Sequence, residues 1–226
     1  CLLLRCSGVR VIGVDLRQDA IDRAAKNCAD HTLSSDDANI AQTIEEITGG
    51  IGADGAIITA GTSSNGPVNL AGACLRKKGR VVVVGAVSTD FERKDYYLKE
   101  LELRMSCSYG PGRYDPEYEE LGRDYPAGYV RWTEKRNMEA FQELIQSGKI
   151  NLGFLTTHKF PLKDAAHAYD IILGKETNYC GILIQYDQAQ ASQKRIEFEP
   201  SKANGACRVG FVGAGSYAMN HLLPNV

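Results

Sequence analysis

Short apolar runs alternate with amphipathic stretches along the first half of the chain. The apolar runs predict buried strands at residues 9–14, 55–60, 80–86 and 101–108. The stretches between the first three runs have helical spacing, as Ile40, Ile44 and Ile47 illustrate. Because strands that alternate with helices build right-handed βαβ units, we predict an α/β fold with a doubly wound parallel sheet.

The pattern changes at Tyr109. Residues 109–136, called the Tyr/Arg loop below, are rich in tyrosine, arginine, glycine and proline and have no clear period. Regular spacing then returns and predicts a helix, a strand, a helix and a strand, at residues 134–146, 155–160, 164–173 and 181–186.

The last part of the chain is first polar and then apolar. Residues 187–206 have no periodic pattern and predict a linker. Residues 208–212 (RVGFV) predict a short buried strand, and a glycine-rich turn follows it. We therefore expect a first domain at residues 1–186, a linker at 187–206, and the first strand and turn of a second domain at 207–226.

Composition and charge exclude several classes of partner. Of the 226 residues, 43% are hydrophobic and 24% are charged, which is ordinary for a globular protein. The formal net charge of −2 gives no electrostatic reason to expect nucleic acid, and no apolar stretch is long enough to span a bilayer. The seven cysteines are scattered and never spaced C-x-x-C, so we expect reduced thiols, a cytoplasmic protein and no metal site.

Asp15 directly follows the first apolar run and is the first candidate site residue. In a dinucleotide-binding βαβ unit, an acidic residue after the second strand accepts hydrogen bonds from the adenosine ribose. On this interpretation the sheet is Rossmann-like and lacks its first strand and its glycine turn. The alternative is that Asp15 only caps the next helix.

Arg17 lies two residues further along and is a second candidate for contact with the cofactor. It would approach a 2′-phosphate or stack on adenine, or else remain a solvated arginine. Because the carboxylate of Asp15 would repel a 2′-phosphate, the sequence favours NAD as the cofactor, with NADP as the alternative.

Two further strand ends are expected to face the cofactor. Ligands of open α/β sheets lie beyond the carboxyl ends of the strands, where small residues let the backbone approach the ligand closely. The candidates are Thr59, Ala60 and Gly61 in one turn and Val84, Gly85 and Ala86 in the other. The alternative is that these glycines only form tight turns.

A second glycine-rich pattern lies near the end of the chain. Gly213, Gly215 and Ala218 follow the RVGFV run and precede a predicted helix. Such a turn brings backbone N–H groups and a helix N-terminus against a pyrophosphate. The alternative is a plain strand–turn–helix. Since a complete second domain needs more residues than remain, we expect the chain to be an internal piece of a larger, two-part oxidoreductase.

The Tyr/Arg loop allows two interpretations. Its four arginines, Arg113, Arg123, Arg131 and Arg136, are interleaved with tyrosines and would hold an anionic or sugar substrate at the mouth of a cofactor cleft. In the second interpretation, which we favour, this is an ordered loop whose tyrosines fill a groove or a subunit contact. No residue of the chain is assigned a catalytic role.

Several segments together resemble the medium-chain, zinc-type alcohol dehydrogenase family. They are VRVIGVD, GADGAIITAGT, KKGRVVVVGAV and SGKI…LTTHKFPLKDAAHAYDIIL. The resemblance covers about residues 1–186 and implies a coenzyme domain in which Asp15 binds ribose and the two strand-end turns lie on the nicotinamide side. It also implies that the last strand, at residues 103–108 (Leu103 to Ser108), pairs two subunits in a homodimer.

The chain departs from that family in two ways. The segments that hold the family's zinc ligands, proton relay and glycine loop have no counterpart here, so we expect no zinc binding by these residues. The tail CRVGFVGAGSYAMNHLLPNV resembles the start of a Gfo/Idh/MocA-type sugar dehydrogenase. Together the two resemblances imply a bi-domain oxidoreductase.

We therefore expect an NAD(P)-dependent dehydrogenase that acts on an alcohol or ketone of a sugar or polyol derivative. The chain would supply the cofactor-binding domain and would be nearly inactive by itself. The main alternative is a non-catalytic nucleotide-fold module for assembly or regulation. A third, a methyltransferase-like fold, also places an acidic residue after its second strand, but the THKFPL…AAHAYD segment argues against it by resemblance.

Overall fold

The structure is a computed structural model that describes residues 1–174, 179–187, 212–213, 215–216 and 218–225. The chain divides into two compact units, Cys1–Gln185 and Tyr186–Val226.

Helices and strands alternate through the first part of unit 1. Their order is α1 (Leu2–Cys6), β1 (Ile12–Asp15), α2 (Gln18–Asn27), β2 (His31–Ser34), α3 (Ile40–Ile47), β3 (Ala53–Ile58), α4 (Gly66–Cys74), β4 (Leu75–Val83), α5 (Arg93–Leu98) and β5 (Glu102–Met105). The short helix α6 (Pro116–Glu119) lies in the Tyr/Arg loop. It precedes α7 (Glu134–Gln146), β6 (Thr156–Pro161), α8 (Ala165–Leu173) and β7 (Gly181–Gln185).

All strand pairs of unit 1 are parallel, which confirms the predicted α/β class. Strand β1 pairs with β2, β4 lies between β3 and β5, and β6 pairs with β7. The sheet is therefore divided, since no hydrogen-bonded ladder joins β1 to β3 among the described residues. Val14 of β1 and Ile57 of β3 are 39% and 50% exposed, so each of these strands has apolar surface that its own sheet leaves open.

The main core lies between α4 and the three-stranded sheet. Val68 of α4 and Leu75, Val81 and Val83 of β4 are fully buried there and belong to one cluster. Tyr96 of α5 closes the core, and its hydroxyl donates a 2.9 Å hydrogen bond to the carbonyl of Val68. Burial raises the pKa of Tyr96 to about 12.

A second cluster connects the two sheets. Ile40 and Ile44 of α3 pack with Cys74 at the end of α4. Ile12 and Ala53, the first residues of β1 and β3, both pack against this cluster. The two strands therefore start from the same layer of helices, even though they are not paired with each other.

The predicted elements are present, with shifted bounds. Strand β4 begins at Leu75, inside the stretch predicted as a helix, and β5 ends at Met105 instead of residue 108. The sequence analysis predicted neither β2 nor α5. Strand β2 is polar (HTLS) and no residue in it is fully buried, so it lacks the apolar run on which strand prediction depends.

Unit 2 is described only in part. The predicted strand at residues 208–212 lies outside the described residues except for Val212. Gly213 has φ 74°, a backbone conformation that favours glycine, and Gly215 N–H donates to its carbonyl at 2.8 Å. A π-helical turn, Ala218–Leu222, and a 3-10 turn, Leu223–Asn225, follow. None of the helices that the structure describes has the length and apolar character needed to cross a bilayer.

Candidate functional site

Asp15 lies at the carboxyl end of β1 and is exposed. Its Oδ1 accepts a 2.9 Å hydrogen bond from the backbone N–H of Arg17, the residue before α2 begins. This contact shapes the turn, but helix α2 receives no hydrogen bond from a capping side chain. The N-cap residue of α2 is Arg17 and not Asp15, and Asp15 is exposed at the strand end, where its proposed contact with ribose stays a prediction.

Arg17 is occupied by an ion pair at the start of α2. Its guanidinium Nε donates to Oδ1 of Asp19 at 2.9 Å, and Nη2 donates to Oδ2 at 2.5 Å. The hydrogen bond to Asp19 raises the pKa of Arg17, and the same bond lowers the pKa of Asp19. A role for Arg17 in holding a 2′-phosphate would require it to leave this pair.

Ser35 was missed by the sequence analysis. It follows β2, and its backbone N–H donates a 3.0 Å hydrogen bond to the carbonyl of Asp15. Its Oγ is buried and has no hydrogen-bond partner. A buried hydroxyl without a partner is unusual, because its desolvation is not compensated. The serine comes from a short polar strand, and no motif marks it in the sequence.

The two candidate turns after β3 and β4 lie against each other. The backbone N–H groups of Val84 and Gly85 both donate to the carbonyl of Ile58 at 2.9 Å. In return, Thr62 N–H donates to the carbonyl of Ala86 at 2.8 Å. The turn at residues 59–61 is exposed, as are Val84 and Ala86, so the structure brings these candidates together at the carboxyl end of the sheet.

The two turns lie so close together that residue 85 has no room for a side chain. A Cβ atom at residue 85 would lie 2.1 Å from the carbonyl oxygen of Ala60 and 2.7 Å from the carbonyl carbon of Thr59. Both contacts are with backbone, which has little freedom to move. At Gly61, by contrast, an added Cβ would meet no atom within 4 Å.

Gly213 and Gly215 belong to the second unit. Their predicted role in nucleotide binding stays a prediction.

Three of the four arginines of the Tyr/Arg loop make ion pairs within the loop. Arg113 pairs with Glu119, Arg123 with Glu117 at 2.5 Å, and Arg136 with Asp124 at 2.5 Å. The loop is further held by hydrogen bonds from Arg136 to the carbonyls of Val130 and Tyr125, and from the Tyr125 hydroxyl to Asp115. Because these contacts pair the arginines with carboxylates of the same loop, they support the interpretation of the segment as an ordered loop.

No group of three or more histidine, cysteine, aspartate or glutamate side chains is arranged to hold a metal within the described ranges. Of the cysteines that the structure describes, Cys28 and Cys74 are buried and Cys1, Cys6, Cys107 and Cys180 are exposed.

The chain is similar to known alcohol dehydrogenases in sequence and in structure. The chain is 29% identical over 172 residues to erythritol/L-threitol dehydrogenase of Mycolicibacterium smegmatis, which covers 76% of this chain and 41% of that protein. It is 31% identical over 86 residues to the NAD-dependent alcohol dehydrogenase of Sulfurisphaera tokodaii, covering 38% of the chain and 24% of the relative. The structure of alcohol dehydrogenase TADH from Thermus sp. ATN1 superposes with a TM-score of 0.61 at 18% identity, over 82% of this chain and 46% of that one.

These likenesses agree with the parallel strands and the arrangement of the turns. The chain spans less than half the length of these relatives. Residues 1–123 match the sequence pattern of the family described as zinc-binding dehydrogenases, which is more than half of the 226 residues. The chain therefore belongs to the zinc-binding dehydrogenase family.

Proposed function

We propose that the chain supplies the coenzyme-binding part of an NAD(P)-dependent dehydrogenase that acts on an alcohol or ketone of a polyol or sugar derivative. The observation that carries the proposal is the exposed carboxylate of Asp15 at the carboxyl end of a parallel strand. Membership of the zinc-binding dehydrogenase family supports the proposal. It is also supported by two relatives, which are named as an erythritol/L-threitol dehydrogenase and an NAD-dependent alcohol dehydrogenase.

The residues at the adenosine side fit a dinucleotide. Asp15 offers carboxylate oxygens, which accept hydrogen bonds from vicinal ribose hydroxyls. Ser35 lies beside Asp15, because its backbone N–H donates to the Asp15 carbonyl, and it fixes the loop after β2 next to the proposed ribose site. We call Asp15, Ser35 and the turns at residues 59–61 and 84–86 the coenzyme edge.

The turns at the other side fit the nicotinamide end. Their side chains are small around Gly85, and their backbone is fixed by three hydrogen bonds. Such a rigid, small-residue surface orients a flat ring without blocking it. When bound, the nicotinamide supplies the hydride chemistry, and the chain's own residues bind and orient it. NAD is favoured because the Asp15 carboxylate would repel a 2′-phosphate.

The test is NADH binding to the purified chain by titration calorimetry, with Asp15→Asn and the control Asp22→Asn. Asp22 is an exposed aspartate of α2, so its variant makes the same charge change outside the coenzyme edge. A hydrogen bond to a charged group contributes roughly 1.5–3 kcal/mol, so Asp15→Asn should weaken NADH binding about tenfold or more. NADPH binding should weaken less, because the repulsion of the 2′-phosphate is relieved.

Binding of NADH to the Asp15→Asn variant with unchanged affinity would overturn the proposal. An equal loss of NADH affinity in Asp15→Asn and Asp22→Asn would overturn it as well. The weaker alternative, a non-catalytic nucleotide-fold module, is not favoured by a family of dehydrogenases.

We further propose that the open side of β5, at residues 103–108, joins two copies of the chain. Strand β5 is the last strand of its sheet, and Met105 is exposed there. An exposed edge strand is a template for pairing with another chain. Light scattering should give the mass of a dimer, and Met105→Lys should lower that mass to a monomer. A dimer that persists in this variant, or a monomeric parent chain, would contradict the proposal.

We also propose that residues 207–226 belong to a second nucleotide-binding unit of the Gfo/Idh/MocA type. The positive φ of Gly213 and the helical turn at Ala218–Leu222 support a glycine turn that leads into a helix.

A further inference from the structure

A small cavity of about 190 Å³ lies on α7, next to the Tyr/Arg loop. We call it the Trp132 pocket. Its walls are Arg131, Trp132, Arg136, Glu139, Ala140 and Glu143. None of these residues belongs to the coenzyme edge. The cavity is smaller than the roughly 300 Å³ at which pockets for drug-sized ligands begin, so it fits a single small ring.

An exposed indole forms one wall of the Trp132 pocket. Trp132 is 51% exposed, and the guanidinium carbon of Arg131 lies 4.3 Å from its ring centroid. Tryptophan is frequent at binding surfaces because its ring combines a large apolar face with an N–H donor. Its flat apolar surface suits a ligand that has an apolar face, such as the C–H face of a sugar ring.

The charges around the pocket are balanced, and this decides the class of ligand. Glu139 and Glu143 provide carboxylate acceptors. Among the described residues, Glu139 forms an ion pair with Lys135 at 3.7 Å, and Glu143 forms none. Arg131 provides guanidinium donors and makes no ion pair in that part of the chain, whereas Arg136 is already bonded to Asp124. An anion would be repelled by the glutamates and a cation by the arginines.

We propose that the Trp132 pocket binds a neutral, polyhydroxylated ring of the size of one monosaccharide. Hydroxyl groups both donate and accept, so such a ligand bonds to Glu143 and to Arg131 at the same time, while its C–H face covers the indole. This site is separate from the coenzyme edge, and it does not depend on the proposed dehydrogenase function.

Trp132 is the only tryptophan in the chain, so emission excited at wavelengths that tyrosine does not absorb reports on Trp132 alone. The chain is titrated with D-glucose, D-glucosamine and D-glucuronate, which share a ring and differ in charge. We expect a saturable change in Trp132 emission with glucose, and affinities about tenfold lower for the two charged sugars. No saturable change with glucose, or charged sugars that bind as well as glucose, would overturn the proposal.

Two variants test the contacts. Glu143→Ala should weaken glucose binding about tenfold, because it removes the acceptor at the pocket wall. The control Glu45→Ala makes the same change at an exposed position of α3, and alanine is favourable in both helices. Circular dichroism checks that both variants are folded. Equal glucose affinities in the two variants would contradict the assignment, as would saturable binding of glycine, a zwitterion, in the absence of glucose binding.

Discussion

The turn at Gly85 allows one prediction to be worked out from distances. In Gly85→Ala, the new Cβ would lie 2.1 Å from the Ala60 carbonyl oxygen and 2.8 Å from that of Thr59. Real Cβ atoms do not approach backbone this closely, so the two turns must separate. Separation strains or breaks the hydrogen bonds from Val84 and Gly85 to Ile58 and from Thr62 to Ala86.

Two costs add up in this variant. Overpacking typically costs about 1–3 kcal/mol, and each lost hydrogen bond costs about 0.5–1.5 kcal/mol. We therefore expect Gly85→Ala to lower the free energy of unfolding by about 2–4 kcal/mol, as urea unfolding followed by circular dichroism measures. The matched control is Gly61→Ala, where an added Cβ meets nothing within 4 Å. It should change stability by less than about 0.5 kcal/mol.

The two alanine variants together test whether the turns at residues 59–61 and 84–86 are in contact. If Gly85→Ala unfolds at the same urea concentration as Gly61→Ala, the turns are not in contact and the description of the coenzyme edge is wrong. If the turns are in contact, Gly85→Ala should also bind NADH more weakly than Gly61→Ala does, because the separated turns no longer present a fixed surface.

Two further predictions concern the core. Tyr96→Phe should lower the free energy of unfolding by about 1–2 kcal/mol, because the buried carbonyl of Val68 loses its 2.9 Å hydrogen bond; an unchanged urea midpoint would contradict this. Burial raises the pKa of Cys74 to about 11 from an ordinary value of 9.0, so between these values the unfolded thiol loses its proton and the folded one keeps it. The contribution of the Cys74 thiol to the free energy of unfolding is therefore fully present below pH 9 and is lost as the pH rises to about 11. The loss amounts to roughly 1–1.5 kcal/mol per pH unit in this range. Urea unfolding of Cys74→Ala should show a flatter alkaline decline, and the control Cys107→Ala, at an exposed thiol, should retain the full one.

The order of strands and helices was predictable because the main strands are short apolar runs that alternate with helical segments. Residues 80–86 and 55–60 are such runs, and strands β4 and β3 lie there with shifted bounds. Strand β2 was not predictable for the opposite reason. It is short and polar, and it is a strand because it pairs with β1. Tertiary pairing, rather than local pattern, decides its structure.

The candidate site was predictable in its positions but not in its contacts. The rule that ligands lie beyond the carboxyl ends of parallel strands selects Asp15 and the two turns without any coordinates. The unpartnered hydroxyl of Ser35 depends on the packing around it, which no motif encodes. The ion pair of Arg17 with Asp19 is a choice among several possible partners, and the sequence does not rank them.

The division of the sheet has a physical consequence for binding. Strands β1 and β3 start from the same helical layer, and each has one edge without a strand partner in the described part of the chain. The adenosine side and the nicotinamide side therefore lie on separate sheets, and both sheets pack against the cluster of Ile40, Ile44 and Cys74. Binding of a dinucleotide across both sides would fix the distance between the two sheets, which costs free energy. We therefore expect this chain to bind a dinucleotide more weakly than a domain whose sheet is continuous.

The arginines of the Tyr/Arg loop show why charge in a sequence is poor evidence for a ligand. Four arginines suggested an anion site, but the loop contains carboxylates at matching positions, and Arg113, Arg123 and Arg136 pair with them. Binding capacity remains only where a charge is left without a partner. Arg131 meets this condition among the described residues, and it lies beside the exposed indole of Trp132 and the carboxylate of Glu143. Because the other three arginines of the loop are already paired, Arg131 is the loop arginine whose donors remain for a ligand, and it lines the Trp132 pocket.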